Sequence, residues 1–151
     1  MDEIYMRAAL DEAKKAYRLL EIPIGAVIVK EGKIVGRGHN LKETGKDATL
    51  HAEIIAIREA CKNLGGWRLP GCTMYVTLEP CSMCAGALVS SRIENLVIGT
   101  RDPKTGACGS IINIVQMKNL NHQIDVKFGI LQEECTNILR KFFAELRQKN
   151  K

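Results

Sequence analysis

An α/β fold with a sheet covered on both faces is predicted by two observations. Short runs rich in β-branched residues alternate along the chain with longer segments whose apolar residues recur every three or four positions. The chain has 151 residues, 46% of them apolar, enough for one domain, 1–151, with a sizeable core.

Taken in order, residues 6–20 read as an amphipathic helix, with apolar side chains at 6, 9, 10, 13, 16, 17 and 20, stopped by Pro23. Residues 24–29 read as a strand. Glu31-Gly32 is a two-residue turn with Gly32 free to take positive φ, and residues 33–39 return as the second strand of a hairpin. A polar loop over 40–49 ends in a helix start, where Asp47 or Thr49 is placed to cap. The helix that follows shows an apolar face of Leu50, Ile54, Ile57, Cys61 and Leu64, and Gly65-Gly66 ends it. Residues 72–78 form a strand broken by Pro80, 81–91 a short helix of small residues, and 95–98 another strand. Residues 99–110 are rich in turn formers and read as a long ordered loop of the kind that carries function. A short helix is expected over 111–117, a last strand over 124–128 and a strong terminal helix over 131–148, with apolar positions 131, 135, 138, 139, 142 and 146.

The first twenty residues lack the basic start and unbroken apolar run of a signal peptide, and the strongest apolar stretch, 24–29, is too short to cross a membrane. No membrane association and a cytoplasmic location are expected. The six cysteines admit disulfides, but in such a chain a metal pair plus buried free thiols is the better reading. Cys61 and Cys135 fall on apolar helical stripes; Cys72 and Cys108 fall near turns and take no assigned role. The net charge is +5, and residues 140–151 hold Arg140, Lys141, Arg147, Lys149 and Lys151 against Glu145 alone. Such a patch suits a polyanion such as RNA, although a solvated helix end is the plainer reading of a basic tail taken alone.

The chemistry is concentrated in two short motifs 30 residues apart, His51-Ala52-Glu53 and Pro80-Cys81-Ser82-Met83-Cys84. One imidazole and two thiolates make three ligands for a zinc ion, and a Cys₂His set leaves a fourth position for water. Within a helix, residues at i and i+2 do not face each other, so His51 and Glu53 can share a site only at a helix start. Cys81 and Cys84 are neighbours at i and i+3, just after Pro80. Two helix N-termini are therefore expected to point at one metal, where their partial positive charge favours thiolates. Glu53 is then placed to carry protons beside the activated water. The competing structural-zinc reading would draw a fourth ligand from His39 or His122, and it leaves Glu53 without a purpose.

His51-Ala52-Glu53 with Pro80-Cys81-x-x-Cys84 resembles the signature of the zinc-dependent nucleoside and nucleotide deaminases. Within them the chain is similar to the bacterial tRNA adenosine deaminases. The resemblance runs through residues 21–27, Gly38-His39-Asn40, residues 75–81, Ser91-Arg92-Ile93, residues 101–107 and Phe142-Phe143, and covers roughly 6–147. Ala48 departs from it, standing where a proline is usual. The resemblance implies a three-layer α/β/α cytidine-deaminase-like fold with a mixed five-stranded sheet, a homodimer, one Zn²⁺ per subunit, and conversion of adenosine to inosine at the wobble position of a tRNA anticodon. It implies His51, Cys81 and Cys84 as zinc ligands, Glu53 as the proton shuttle and Asn40 as a hydrogen-bonding partner of the purine. Ala52 and Cys81 would offer backbone N–H groups near the reacting centre.

Further contacts with an anticodon loop are expected from the basic C-terminal region and the 99–110 loop. Asp102, beside Lys104, either accepts a hydrogen bond from a ribose 2′-OH or caps its own turn before Pro103. Phe142 belongs to the core stripe, whereas Phe143 sits at its edge, where it stacks on a base or simply packs. Two other functions share these motifs: a deaminase of free guanine or cytosine, and a non-catalytic zinc-stabilised RNA-binding module.

Overall fold

A computed structural model describes residues 1–150. Lys151, the last of the basic residues noted above, lies outside them. The elements follow the order α1 (Asp2–Arg18), β1 (Gly25–Lys30), β2 (Lys33–His39), α2 (Ala52–Leu64), β3 (Cys72–Leu78), α3 (Ser82–Ser90), β4 (Asn95–Thr100), β5 (Asp125–Phe128) and α4 (Gln132–Lys149). The sheet runs β2-β1-β3-β4-β5, with β1 antiparallel to both its neighbours and β3, β4 and β5 parallel. It is the mixed five-stranded sheet that the resemblance implies.

Side chains alternate across a strand, and here that alternation builds two cores. Ala26, Ile28, Met74, Val76, Leu96 and Ile98 face α2 and α3. Val27, Val29, Tyr75 and Val97 face α1 and α4. Helices thus cover both faces, which makes the three layers.

Several elements differ from the sequence reading, each for a physical reason. α1 begins at Asp2 and ends at Arg18, its acidic first turn and basic last turn complementing the helix dipole. It is Leu20, at φ 61°, rather than Pro23 that turns the chain, and the Glu21 N–H closes the end on the Ala16 carbonyl at 3.0 Å. α2 buries Ala52, Glu53, Ala56 and Ala60, while Ile54, Ile57 and Cys61 are only half buried and Leu64 is exposed. The reason is close approach: a Cβ at Gly36 or Gly38 of β2 would collide with the Ala56 or Ala52 carbonyl oxygen. Only a small-residue face fits there. The α2 N-cap is His51, with no side-chain capping bond. Asp47 instead accepts from the Thr49 backbone N–H (2.8 Å) and hydroxyl (2.7 Å), closing a turn before the helix. As expected, Gly65 ends α2 in the left-handed region, at φ 79°.

No helix forms over 111–117. The Ile111 and Ile114 N–H groups bond to the Gly106 and Ala107 carbonyls rather than to their own preceding turn, and Ile111 and Ile112 are exposed. α4 docks across the end of β4 through Cys135, whose sulfur occupies the space a side chain at Gly99 would need, and through a Thr136–Thr100 hydroxyl bond of 3.0 Å. Among the described residues, no helix is long and apolar enough to cross a membrane.

Candidate active site

The sheet order brings four connections to one edge. β1 starts there, and β2, β3 and β4 end there, so residues 22–24, 40–42, 78–81 and 100–105 share one end of the molecule. The N-termini of α2 and α3 arrive at the same place. His51 and Cys81 are their N-cap residues, both with extended backbone. The turn positions predicted from spacing are therefore the ones observed.

The three donor atoms lie within 4.8 Å of one another. His51 Nδ1 is 3.6 Å from Cys81 Sγ and 3.6 Å from Cys84 Sγ. In a tetrahedral zinc site, with metal–nitrogen and metal–sulfur bonds of about 2.0 and 2.3 Å, a nitrogen–sulfur edge measures roughly 3.5 Å. The donor set and its spacing fit such an ion. His39 and His122 are engaged elsewhere: the His39 ring meets Glu12 at 3.1 Å, and the His122 ring meets the Ile93 carbonyl at 2.6 Å. All six cysteines are free thiols, so none of them is consumed in a disulfide.

The charges are shaped by burial and by the pairing of the two sulfurs. The Cys84 thiol donates to Cys81 and, with the His51 ring beside it, holds the Cys81 thiol down to about 4. The same bond, together with burial, pushes Cys84 up. Bonding to Cys81 raises the His51 imidazole. Glu53 is 4% exposed, and burial pushes its carboxyl up to about 7. A carboxyl in that range can both take and give a proton near neutrality.

Above this centre lies a cavity of about 560 Å³, within the span of small-molecule sites. Asn40, His51, Ala52, Cys81, Asp102, Lys104 and Phe143 all line it. Glu53 and Cys84 sit buried next to His51 and Cys81.

Residues 1–147 match the MafB19-like deaminase family. The chain is 55% identical over 150 residues to the tRNA-specific adenosine deaminase of Bacillus subtilis (strain 168), covering 99% of this chain and 93% of the relative. The chain belongs to the family of tRNA-specific adenosine deaminases. The deaminase of that description from Aquifex aeolicus is 47% identical, covering 96% of this chain and 95% of its own. Among solved structures, one described as A-to-I editing by tRNA:A34 deaminases at the wobble position of transfer RNA superposes with a TM-score of 0.86 at 44% identity. It covers 89% of this chain and 98% of that one. A guanine deaminase from Nitrosomonas europaea superposes at 0.79 with 25% identity, covering 94% and 84%. The fold thus also carries free-base deaminases.

The geometry refines several residue assignments in this deaminase. Asn40 is pinned by its own neighbours: its amide donates to the Ile22 carbonyl (3.2 Å), and its oxygen accepts from the Lys42 N–H (3.1 Å). Asp102 caps its turn, accepting from the Lys104 and Thr105 N–H groups at 3.0 and 3.2 Å and from the Thr105 hydroxyl at 2.7 Å. Phe142 is buried and Phe143 half exposed at the cavity rim, as the stripe predicted.

Sequence reasoning missed much of the wall. Lys42, Arg101 and Leu139 line the same cavity. A second cavity of about 660 Å³ shares Arg101, Lys104 and Phe143 with it and adds Arg140 and Arg147. The helical spacing of 136, 139, 140, 143 and 147 was the available signal for one α4 face over the site. Two buried glutamates that hold this wall were also missed. Glu21 accepts from the Glu43 and Thr44 N–H groups and so holds the wall after β2. Glu79 plays a comparable part for the wall after β4, described below.

Proposed function

We propose that this deaminase hydrolyses adenosine to inosine at the wobble position of a tRNA anticodon, using one zinc ion per subunit held by His51, Cys81 and Cys84. The observation that carries the reading is the clustering of those three donors, with His51 and Cys81 lining a cavity rimmed by cations and Cys84 and the Glu53 carboxyl buried next to them. The relative that is 55% identical over 99% of the chain supports the same substrate. Zinc, when bound, polarises a water so that its pKa falls to about 7.

The protein's own groups then handle protons and orientation. Glu53 takes a proton from the attacking water and delivers it to the purine ring nitrogen beside the reacting carbon. It next takes the remaining proton from the hydroxyl now on that carbon and passes it to the departing amino group, so that water and adenosine become inosine and ammonia. Asn40 orients the purine with its remaining amide N–H, and the Ala52 and Cys81 N–H groups at the two helix starts face the developing negative charge. Ile22, Ile24, Leu78 and Leu139 exclude water around the base. A base inside a duplex cannot enter, so the target is looped out or single-stranded. Phe143 offers a stacking face to a neighbouring base, and Lys104 offers a cation to its phosphate. The turn held by Asp102 leaves a lone pair on Oδ2 for a ribose 2′-OH. The protein works in the cytoplasm as a homodimer, a state supported by the exposed Ile111, Ile112, Met117 and Leu120 on one segment.

Inosine mapping of tRNA incubated with the purified zinc-loaded protein tests this reading directly. Inosine at the wobble position is the expected result. Ammonia released from free guanine or cytosine with no change in tRNA would instead favour the free-base reaction, which the Nitrosomonas europaea relative performs on the same fold.

A further inference from the structure

Glu79 is 2% exposed, lies at the end of β3 two residues before Cys81, and has no part in the chemistry above. Its carboxylate is instead the hub of the loop that forms one wall of the cavity. Oε1 accepts from the Asp102 N–H at 3.1 Å and from the Ser110 hydroxyl. Oε2 accepts from the Cys108 N–H at 3.0 Å and the Ser110 N–H at 3.1 Å. Gly106 wraps so closely that a Cβ there would collide with this carboxyl and with the Asp102 carbonyl. The outer side of the loop presents Arg101, Asp102, Pro103, Lys104 and Thr105 to the cavity.

We propose that Glu79 is a positioning residue for substrate selection: its bond to the Asp102 N–H sets where the 101–105 wall stands over the His51–Cys81–Cys84 centre. This rests on the reading of that centre as an RNA deaminase. The wall touches what flanks the reacting base, so Glu79 governs capture of a structured RNA rather than proton transfer by Glu53.

The two oxygens are not equivalent, and this makes the role testable. Both donors on the Oε2 side are backbone N–H groups, which cannot turn round. On the Oε1 side the Ser110 hydroxyl can rotate to accept. In Glu79→Gln the amide oxygen therefore takes the Oε2 position, and its NH₂ faces Asp102 N–H. One anchor is lost while the Cys108 and Ser110 anchors stay.

The experiment uses the zinc-loaded protein and an anticodon stem–loop with adenosine at the wobble position. It reads zinc content, amide exchange, kcat and KM. Glu79→Gln is expected to keep its zinc, to exchange faster at Asp102 than at Cys108 and Ser110, and to raise KM about tenfold with little change in kcat, the worth of one hydrogen bond to a charged group. Ser110→Ala leaves the Asp102 anchor intact and should leave KM unchanged. Gly106→Ala presses on the same wall with the carboxylate intact and should raise KM too, which decides the matter if Glu79→Gln fails to fold. With an active wild type, a KM unaltered in Glu79→Gln and in Gly106→Ala, whichever of them folds, or a kcat that alone falls in them, overturns the role of Glu79. A wild type that makes no inosine overturns the deaminase reading along with it.

Discussion

Glu53 is the residue whose removal separates chemistry from architecture. On the proposed reading it is not a metal ligand, so Glu53→Gln should keep full metal content while ammonia release falls by about 10²–10⁴-fold or more. Cys84→Ala, one helix start away, should do the opposite at the level of metal: two donors remain, zinc is lost on dialysis, and the melting temperature drops because binding and folding are linked. Metal analysis beside an activity assay checks both. That His51, Glu53, Cys81 and Cys84 would meet was legible because geometry constrains their spacing: an i, i+2 pair has no shared face except at a helix start, and an i, i+3 pair does. Glu79 was not legible. Its partners lie between 23 and 31 residues along the chain, and no periodicity announces a carboxylate around which a loop will wrap.

At the level of elements, α2 is capped by His51, the candidate metal-binding histidine, and is seated by the absence of side chains beneath it. Gly38→Ala should push its first turn outward, because the new methyl meets the Ala52 carbonyl oxygen. A cost of about 1–3 kcal/mol is expected from such overpacking, with a weaker grip on zinc, since His51 precedes Ala52. Thermal unfolding with and without added zinc measures the two effects. The glycines explain why the buried face of this helix is shifted from the one the sequence pointed to, with Ile57 and Cys61 at its border. Isoleucines dominate an apolarity pattern, but a strand carrying Gly36 and Gly38 draws the helix too near for them, and the alanines turn inward. Residues 111–117 misled in a related way: their isoleucines are spaced for a helix, yet Ile111 and Ile112 face outward and the backbone bonds go to the preceding loop.

The whole molecule has electrostatic behaviour that no single element decides. Asp2 receives the Lys127 ammonium and the Tyr75 hydroxyl, each at 2.8 Å, which ties the first turn of α1 to β3 and β5. These bonds hold its carboxyl below the ordinary 3.8. Burial works against the Glu12 carboxylate, yet bonds from Lys15 and His39 keep it below 4.5. A folded carboxyl with a depressed pKa adds stability above its unfolded value and loses it as pH falls through the folded one. Melting temperature should therefore fall steeply as pH drops below about 4.5, and less steeply in Asp2→Asn.

On the opposite sign of charge, Arg101, Lys104, Arg140 and Arg147 border one cavity. If RNA phosphates lie there, the affinity for an anticodon stem–loop should fall with salt, and Arg140→Gln should flatten the log–log slope by roughly 0.7. An unchanged slope would remove that residue from the contact surface. The basic C-terminus was legible as a charge excess. That its helix would line the same cavity as His51 and Cys81 was not, because this depends on a crossing of α4 over β4 that Gly99 and Cys135 settle in three dimensions.

That crossing also has a consequence in time. The ribosome delivers His51, Cys81 and Cys84 well before Leu139 and Phe143, which close the cavity from the side of α4. A nascent chain has all three donors outside the ribosome while Leu139 and Phe143 are still inside the exit tunnel. On the proposed reading, conversion of adenosine then waits until α4 has packed across β4.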